Sequence, residues 1–119
     1  MQAGTRALLA KADRAAAAAA AALAAGAPDM AAARAFGAML NAAKAVLCER
    51  GLRLHTHERI AAALARVEAV PDPPVAQWLA DAIARRHGGA AEALTFEEVG
   101  ELVTRAAAFV AAARGSLEG

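Results

Sequence analysis

Residues 28–51 read PDMAAARAFGAMLNAAKAVLCERG, and this stretch decides the fold. Proline at the first helical position and glycine just past the last one are typical of the two ends of a helix. Between them, apolar residues recur at helical spacing and form one face. These residues are Phe36, Met39, Leu40, Ala43, Val46 and Leu47. The stretch therefore predicts one long amphipathic helix.

The residues before this segment predict a helix that consists largely of alanine. Thr5 is placed to cap it and Gly26 to end it. Alanine is the best helix former, but it buries little apolar area per residue. A solvated helix is one interpretation. Packing within the chain and packing at the seam of a dimer are the others.

The residues after the central segment predict three more helices. Thr56 caps the third, and the proline-rich residues 71–74 separate it from the fourth, which ends at residues 85–89, RRHGG. Residues 95–98, TFEE, form a capping box that starts the last helix, and Gly115 ends it. No segment alternates with period two, so no strand is predicted.

These elements predict a single all-α domain over residues 1–119, an up-and-down antiparallel bundle of four to five helices. Roughly a third of the chain is alanine, and it holds only three Phe, one Trp and no Tyr. A core of such small side chains buries little apolar surface for a chain of this length. We therefore expect a homodimer, in which a second copy supplies additional burial.

The charge and the cysteine content limit the partners and the cellular compartment that we expect. The net charge of +1 gives no overall field toward nucleic acid or membrane, so any basic site must be local. The single cysteine, Cys48, excludes an intrachain disulfide and is expected to be buried in a helix. Residues 15–22 are all alanine, but Lys11, Asp13 and Arg14 precede them. They match neither an export signal nor a membrane span, so we expect a cytoplasmic protein without membrane contact.

Three stretches carry a resemblance to a known family. Residues 8–12 read LLAKA and lead to the turn at Ala25-Gly26, residues 33–47 read ARAFGAMLNAAKAVL, and Thr56-His57 opens the next helix. The long stretch is similar to R-A-Y-Y-A-M-F-x-A-A-K-A-L-L in the second helix of prokaryotic HEPN domains. The final helix also fits that family's closing segment. From residue 8 to residue 113, the chain therefore resembles a HEPN domain.

The resemblance implies a dimeric helical bundle associated with nucleotides or RNA. Some members of the family are metal-independent ribonucleases, often toxins of toxin–antitoxin pairs, that use an R-x4-6-H motif. In that motif arginine holds the scissile phosphate and histidine moves a proton. Other members are non-catalytic partners of small nucleotidyltransferases or bind nucleotides themselves.

The chain departs from the ribonuclease motif. At the end of the fourth helix, arginines are present but His87 directly follows them, without the four to six intervening residues of the motif. An R-x4-H from Arg50 to His55, and an R-x6-H from Arg50 to His57, straddle a helix end away from the family's position. We interpret that match as chance. The catalytic residues are unknown, and a non-catalytic binding module is the favoured function. The alternatives are a ribonuclease that uses His57 or His87 in trans, and a purely structural dimeric bundle.

Six residues are candidates for phosphate or ligand binding. Arg85, Arg86 and His87 form a basic cluster at a helix end beside glycines, although a basic last turn also complements the helix dipole. His57 either joins a second basic pocket with His55 and Arg53 or only follows the Thr56 cap. The remaining two candidates, Arg34 and Lys44, either face a phosphate or cover apolar surface with their stems. No metal site or cofactor is predicted.

Overall fold

The described part of the chain consists of five helices joined by short connections. A computed structural model describes residues 1–67, 73–87 and 94–118, and these residues contain no strand. The helices are α1 (Ala3–Ala24), α2 (Pro28–Glu49), α3 (His57–Val67), α4 (Val75–His87) and α5 (Phe96–Glu118). The predicted all-α fold with five helices is confirmed. Residues 71–72 of the predicted proline-rich break and the predicted glycine pair at residues 88–89 lie outside the described residues.

Helices α1 and α2 pack against each other more extensively than any other pair. Gly26 adopts a φ of 78°, a left-handed conformation that glycine takes without strain, and so ends α1. Alanines such as Ala12 and Ala19 of α1 and Ala31 of α2 have no exposed surface. The interpretation of α1 as a solvated helix is therefore wrong. Small side chains on both helices let the two backbones approach closely, and α1 packs within the chain.

The start of α1 is fastened to the end of α2 by one carboxylate. The Thr5 hydroxyl and the Gln2 backbone N–H each donate a hydrogen bond of 2.9 Å to Glu49 Oε1. These bonds hold the pKa of Glu49 below its ordinary value, the Gln2 N–H contributing most. The prediction that Thr5 caps α1 is wrong, because Gln2 precedes the helix and Thr5 lies buried inside it. Its hydroxyl finds a partner on α2 instead.

Helix α5 packs against both α1 and α2. It is antiparallel to α1, since Gly100 near its start approaches Leu23 and Arg114 near its end pairs with Asp13. The prediction that Gly115 ends α5 is wrong, because the helix continues to Glu118. Gly115 does not take the positive φ that a glycine stop uses, whereas Gly26 and Gly51 do.

Helices α3 and α4 form the other side of the bundle. Thr56 Oγ1 accepts a hydrogen bond of 3.3 Å from the Arg59 backbone N–H, which confirms Thr56 as the cap of α3. The apolar faces of α3 and α4 are buried, with Leu64 and Leu79 fully enclosed. Helix α4 touches α2 and α5 far less than it touches α3. Space therefore remains between α4 and the α2–α5 pair.

Two further observations concern Cys48 and the membrane prediction. Cys48 is buried in α2, as expected, and an added Cβ at Gly4 would lie 3.4 Å from its sulfur. Gly4 thus lets the two helices approach closely at this end. Within residues 1–67, 73–87 and 94–118, no helix combines the length and the apolar character that crossing a bilayer requires.

The core is expected to depend on Phe109, which is 1% exposed, and not on Phe96 of the same helix, which is 61% exposed. Phe109→Ala should lower the free energy of unfolding by about 3–5 kcal/mol, because it removes a large buried side chain and leaves a cavity. Phe96→Ala, the matched control, should change it by less than about 0.5 kcal/mol. Urea unfolding followed by circular dichroism measures both. Similar losses from the two variants would contradict the assignment of the core.

The Glu49 contacts predict a pH-dependent contribution to stability. A carboxyl whose pKa is lowered by folding stabilises the fold above its ordinary pKa and loses that contribution as the pH falls through the lowered value. Glu49→Gln should therefore be less stable than the parent chain at pH 7, and the difference should shrink as the pH falls through the lowered pKa of Glu49. Glu118→Gln, at the exposed end of α5, is the control. Equal stability of Glu49→Gln and the parent at pH 7 would refute the prediction.

Candidate functional site

A groove with a volume of about 690 Å³ lies between α4 on one side and α2 and α5 on the other. It exists because α4 is held mainly by α3. Its apolar lining comes from Ala32, Phe36, Trp78, Ala82, Ala84, Leu94 and Leu102. Its charged lining consists of three arginines and three carboxylates, namely Arg85, Arg86, Arg105, Asp81, Glu98 and Glu101. The groove thus combines an apolar, partly aromatic surface with balanced charge.

Two of the residues predicted to bind phosphate, Arg85 and Arg86, both line this groove. The Arg86 guanidinium carbon lies 5.0 Å from the centre of the Phe36 ring, a distance suited to a cation–π contact. Arg86 makes no ion pair with any residue that the structure describes. Arg85 Nη2, in contrast, donates to Glu98 Oε2 at 2.7 Å. Arg86 therefore has N–H donors available, while Arg85 has a carboxylate partner.

Glu98 has two roles, one for each carboxyl oxygen. Its Oε1 accepts a hydrogen bond of 3.0 Å from the Thr95 backbone N–H, and its own N–H donates to Thr95 Oγ1 at 3.1 Å. This reciprocal pair confirms the predicted capping box at the start of α5. Oε2 is the oxygen that binds Arg85. Thr95 and then Arg85 hold the pKa of Glu98 below its ordinary value, so this carboxylate is ionised at neutral pH.

The other end of the groove is built from Trp78, Arg105 and Glu101. The Arg105 guanidinium carbon lies 5.5 Å from the centre of the Trp78 ring. Arg105 Nη2 also pairs with Glu101 Oε1 at 2.8 Å, one helical turn away. This end therefore presents an aromatic ring, a hydrogen-bond donor and a hydrogen-bond acceptor side by side.

Sequence reasoning did not identify this second end. The missed residues are Trp78 on α4 and Glu98, Glu101 and Arg105 on α5. A signal was present, because Trp78 and Arg85 are seven residues apart and so share a helix face, as do Glu98 and Arg105. Two helices with polar and aromatic residues on one face can place those faces opposite each other. The pairing of the two helices was the missing information.

The remaining predicted residues are not part of the groove lining. His57 is half-buried, with its ring centre 5.3 Å from that of Phe36 in an edge-to-face arrangement. Arg34 is exposed and Lys44 is half-buried, both on α2 away from the groove. His87 is the last residue of α4, directly after Arg86, and its side chain lies outside the described part of the structure. The structure thus brings Arg85 and Arg86 together, with His57 against the same phenylalanine as Arg86.

The described residues offer no metal site, and no similarity to a known protein guides the assignment of a function. Among the residues that the structure describes, no three His, Cys, Asp or Glu side chains are grouped so that they could hold a metal ion. Comparisons with protein-family models, with curated proteins and with solved structures find no match to this chain. The functional argument therefore depends on the residues of the groove.

We expect the capping box to stabilise the start of α5, which forms one wall of the groove. Thr95→Ala should lower the free energy of unfolding by about 1 kcal/mol, because it removes the side-chain acceptor for the Glu98 N–H. Thr95→Ser keeps that acceptor and should cost only a small part of this. Thermal or urea unfolding of both variants is the measurement. Equal losses in the two variants would indicate that the hydroxyl does not cap α5.

Proposed function

We propose that the chain is a non-catalytic binding module that holds a nucleotide, free or at the end of an RNA, in the groove between α2, α4 and α5. Arg86 is the primary phosphate ligand, Arg85 is the second, and His87 is an adjunct. One observation carries the proposal: the Arg86 guanidinium lies in the groove above Phe36 without an ion pair to any described residue.

The contact between Arg86 and Phe36 suits anion binding. A guanidinium above an aromatic ring gains from the cation–π attraction, yet its N–H groups stay available to an oxyanion. The ring also restricts the motion of a long side chain, which reduces the entropy lost when a ligand binds. Arg86 is thus partly organised for phosphate before the phosphate arrives.

Arg85 is able to join Arg86 once a phosphate is present. Its ion pair with Glu98 has side chains that are 51% and 40% exposed, and exposed pairs contribute little to stability. A phosphate oxygen can replace Glu98 Oε2 on Arg85 while Oε1 continues to accept from Thr95. The start of α5 therefore stays capped when the pair opens.

The rest of the groove favours a nucleotide over a bare phosphate. Its volume of about 690 Å³ falls within the range of small-molecule sites. Trp78 gives the groove a half-buried aromatic ring, and stacking on such rings is a common way of binding bases. The three carboxylates cancel the charge of the three arginines, so binding depends on directed contacts instead of a general positive field.

The proposal includes partners that follow from the resemblance to HEPN domains. We propose a cytoplasmic homodimer that acts beside a small nucleotidyltransferase. Affinity purification of the tagged chain, followed by mass spectrometry, tests the second part, and light scattering of the purified chain tests the first. Recovery of the chain alone and a monomeric mass would reject these two parts, while the groove remains testable by itself.

A second candidate function has one specific observation in its favour. Arg86 and His57 contact the same Phe36 ring, at 5.0 and 5.3 Å, so one phenylalanine touches an arginine of α4 and a histidine of α3. Such a pair could hold a phosphodiester and transfer a proton, as in a metal-independent ribonuclease. This function predicts RNA cleavage in the presence of EDTA that both Arg86→Ala and His57→Ala abolish. The binding module predicts no cleavage.

Binding of the four nucleoside 5′-monophosphates tests the main proposal. Trp78 is the single tryptophan and lines the groove, so its fluorescence reports occupancy, and calorimetry gives the affinity. Arg86→Ala should weaken binding by about tenfold or more, because it removes charge-assisted hydrogen bonds to phosphate.

The matched control is Arg66→Ala, which removes an exposed arginine of α3 outside the groove and should leave affinity unchanged. Nucleosides without phosphate should bind more weakly than their monophosphates. Absence of binding by all four nucleotides, or equal affinity of Arg86→Ala and the parent chain, would reject the proposal.

A further inference from the structure

The end of the groove away from Arg86 carries the features that distinguish one base from another. Trp78 is half-buried and presents a ring for stacking. Arg105 supplies N–H donors 5.5 Å from the centre of that ring, and Glu101 supplies a carboxylate 2.8 Å from Arg105. A donor and an acceptor of opposite charge therefore stand next to each other beside the stacking surface.

We propose that this end of the groove recognises guanine, so that the ligand is a guanine nucleotide with its phosphate at Arg86. The inference rests on the proposed function and adds the identity of the base. Glu101 accepts from the base N1–H and 2-amino group, the base takes the place of the Arg105 guanidinium on the Trp78 ring, and the displaced Arg105 donates to O6 and N7 at the edge of the base.

The chemistry of the four bases leads to this choice. Guanine alone presents two adjacent donors, N1–H and the 2-amino group, beside the acceptors O6 and N7. A carboxylate fits the donor pair and a guanidinium fits the acceptor pair. Adenine places an amino group where guanine has O6 and has no proton on N1, so it would face Arg105 with a donor and Glu101 with an acceptor.

The ion pair between Glu101 and Arg105 does not prevent this recognition. Its side chains are 63% and 37% exposed, and the two residues are one turn apart on α5, so the pair is weak. Both residues project from one helix, and the contact of Arg105 with Trp78 opens when the base stacks on that ring. A base that bridges donor and acceptor replaces one exposed contact with several charge-assisted hydrogen bonds.

Glu101 differs from the other two carboxylates of the groove, Asp81 and Glu98, in its hydrogen-bond partners. Asp81 Oδ1 accepts a hydrogen bond of 2.8 Å from the Gln77 side chain, and Glu98 is occupied by Thr95 and Arg85. Within the described part of the chain, the Glu101 carboxylate pairs with Arg105 and with no other side chain. Glu101 is therefore the carboxylate that is most available to a base.

Calorimetric titration with guanosine, inosine and adenosine 5′-monophosphates tests the inference on the full chain. The guanine nucleotide should bind about tenfold more tightly than the adenine nucleotide, because a matched pair of hydrogen bonds discriminates by about that factor. The inosine nucleotide lacks only the 2-amino group and should lie between them. Glu101→Gln should weaken binding of the guanine nucleotide by about tenfold and leave the adenine nucleotide within about twofold.

The control variant is Glu97→Gln, an exposed glutamate of the same helix outside the groove, which should bind all three nucleotides like the parent chain. Retained adenine-nucleotide binding by Glu101→Gln shows that this variant is folded. Equal affinity for the guanine and adenine nucleotides would overturn the guanine assignment and leave the proposed function standing. Absence of binding by every nucleotide would overturn both. A preference for guanine that persists in Glu101→Gln would overturn the role of Glu101.

Discussion

The close packing of α1 on α2 is the constraint on which the rest of the structure depends. Alanine at the contact lets two long helices approach closely, so that even small side chains bury their surface completely. Glu49 closes one end of this pair, and Gly26 forms the turn at the other. The α1–α2 pair then presents a continuous surface on which α5 packs, while α3 packs against α2. The larger core residues, such as Met39 and Phe109, fill the layer that results.

The groove exists because α4 makes little contact with α2 and α5. Helix α4 is supported mainly by α3, so its polar face is left opposite α5 instead of packed against it. Among the described residues, the ion pair of Arg85 with Glu98 crosses the gap, and that of Arg105 with Glu101 lies along α5. Aromatic rings lie beneath two of the arginines and fix their position. The same arrangement that neutralises the groove therefore also organises its donors and acceptors.

The sequence predicted what is local and missed what depends on how helices meet. Pro28, Gly51, Thr56 and the Thr95–Glu98 capping box each act within a few residues, and the structure has them as predicted. Thr5 was misassigned because tertiary packing sets its role, through its bond to Glu49. Gly115 was misassigned because a glycine can also lie inside a helix, as it does in α5. In the groove, Arg85 and Arg86 were identified by their clustering, whereas Trp78, Arg105 and Glu101 become related only when α4 and α5 face each other.

The alanine-rich contact has a consequence for how such a protein can be studied by mutation. Scanning by replacement with alanine measures what a side chain contributes beyond its Cβ, and so it cannot register an interface that is already made of alanine. Such a scan would leave the alanine positions of the α1–α2 contact unmeasured, although the close approach of the two helices depends on them. Only the opposite substitutions, to glycine or to larger residues, are informative there, because they change the separation of the helix axes. Tolerance to mutation in this chain is thus limited by crowding at least as much as by loss of contacts.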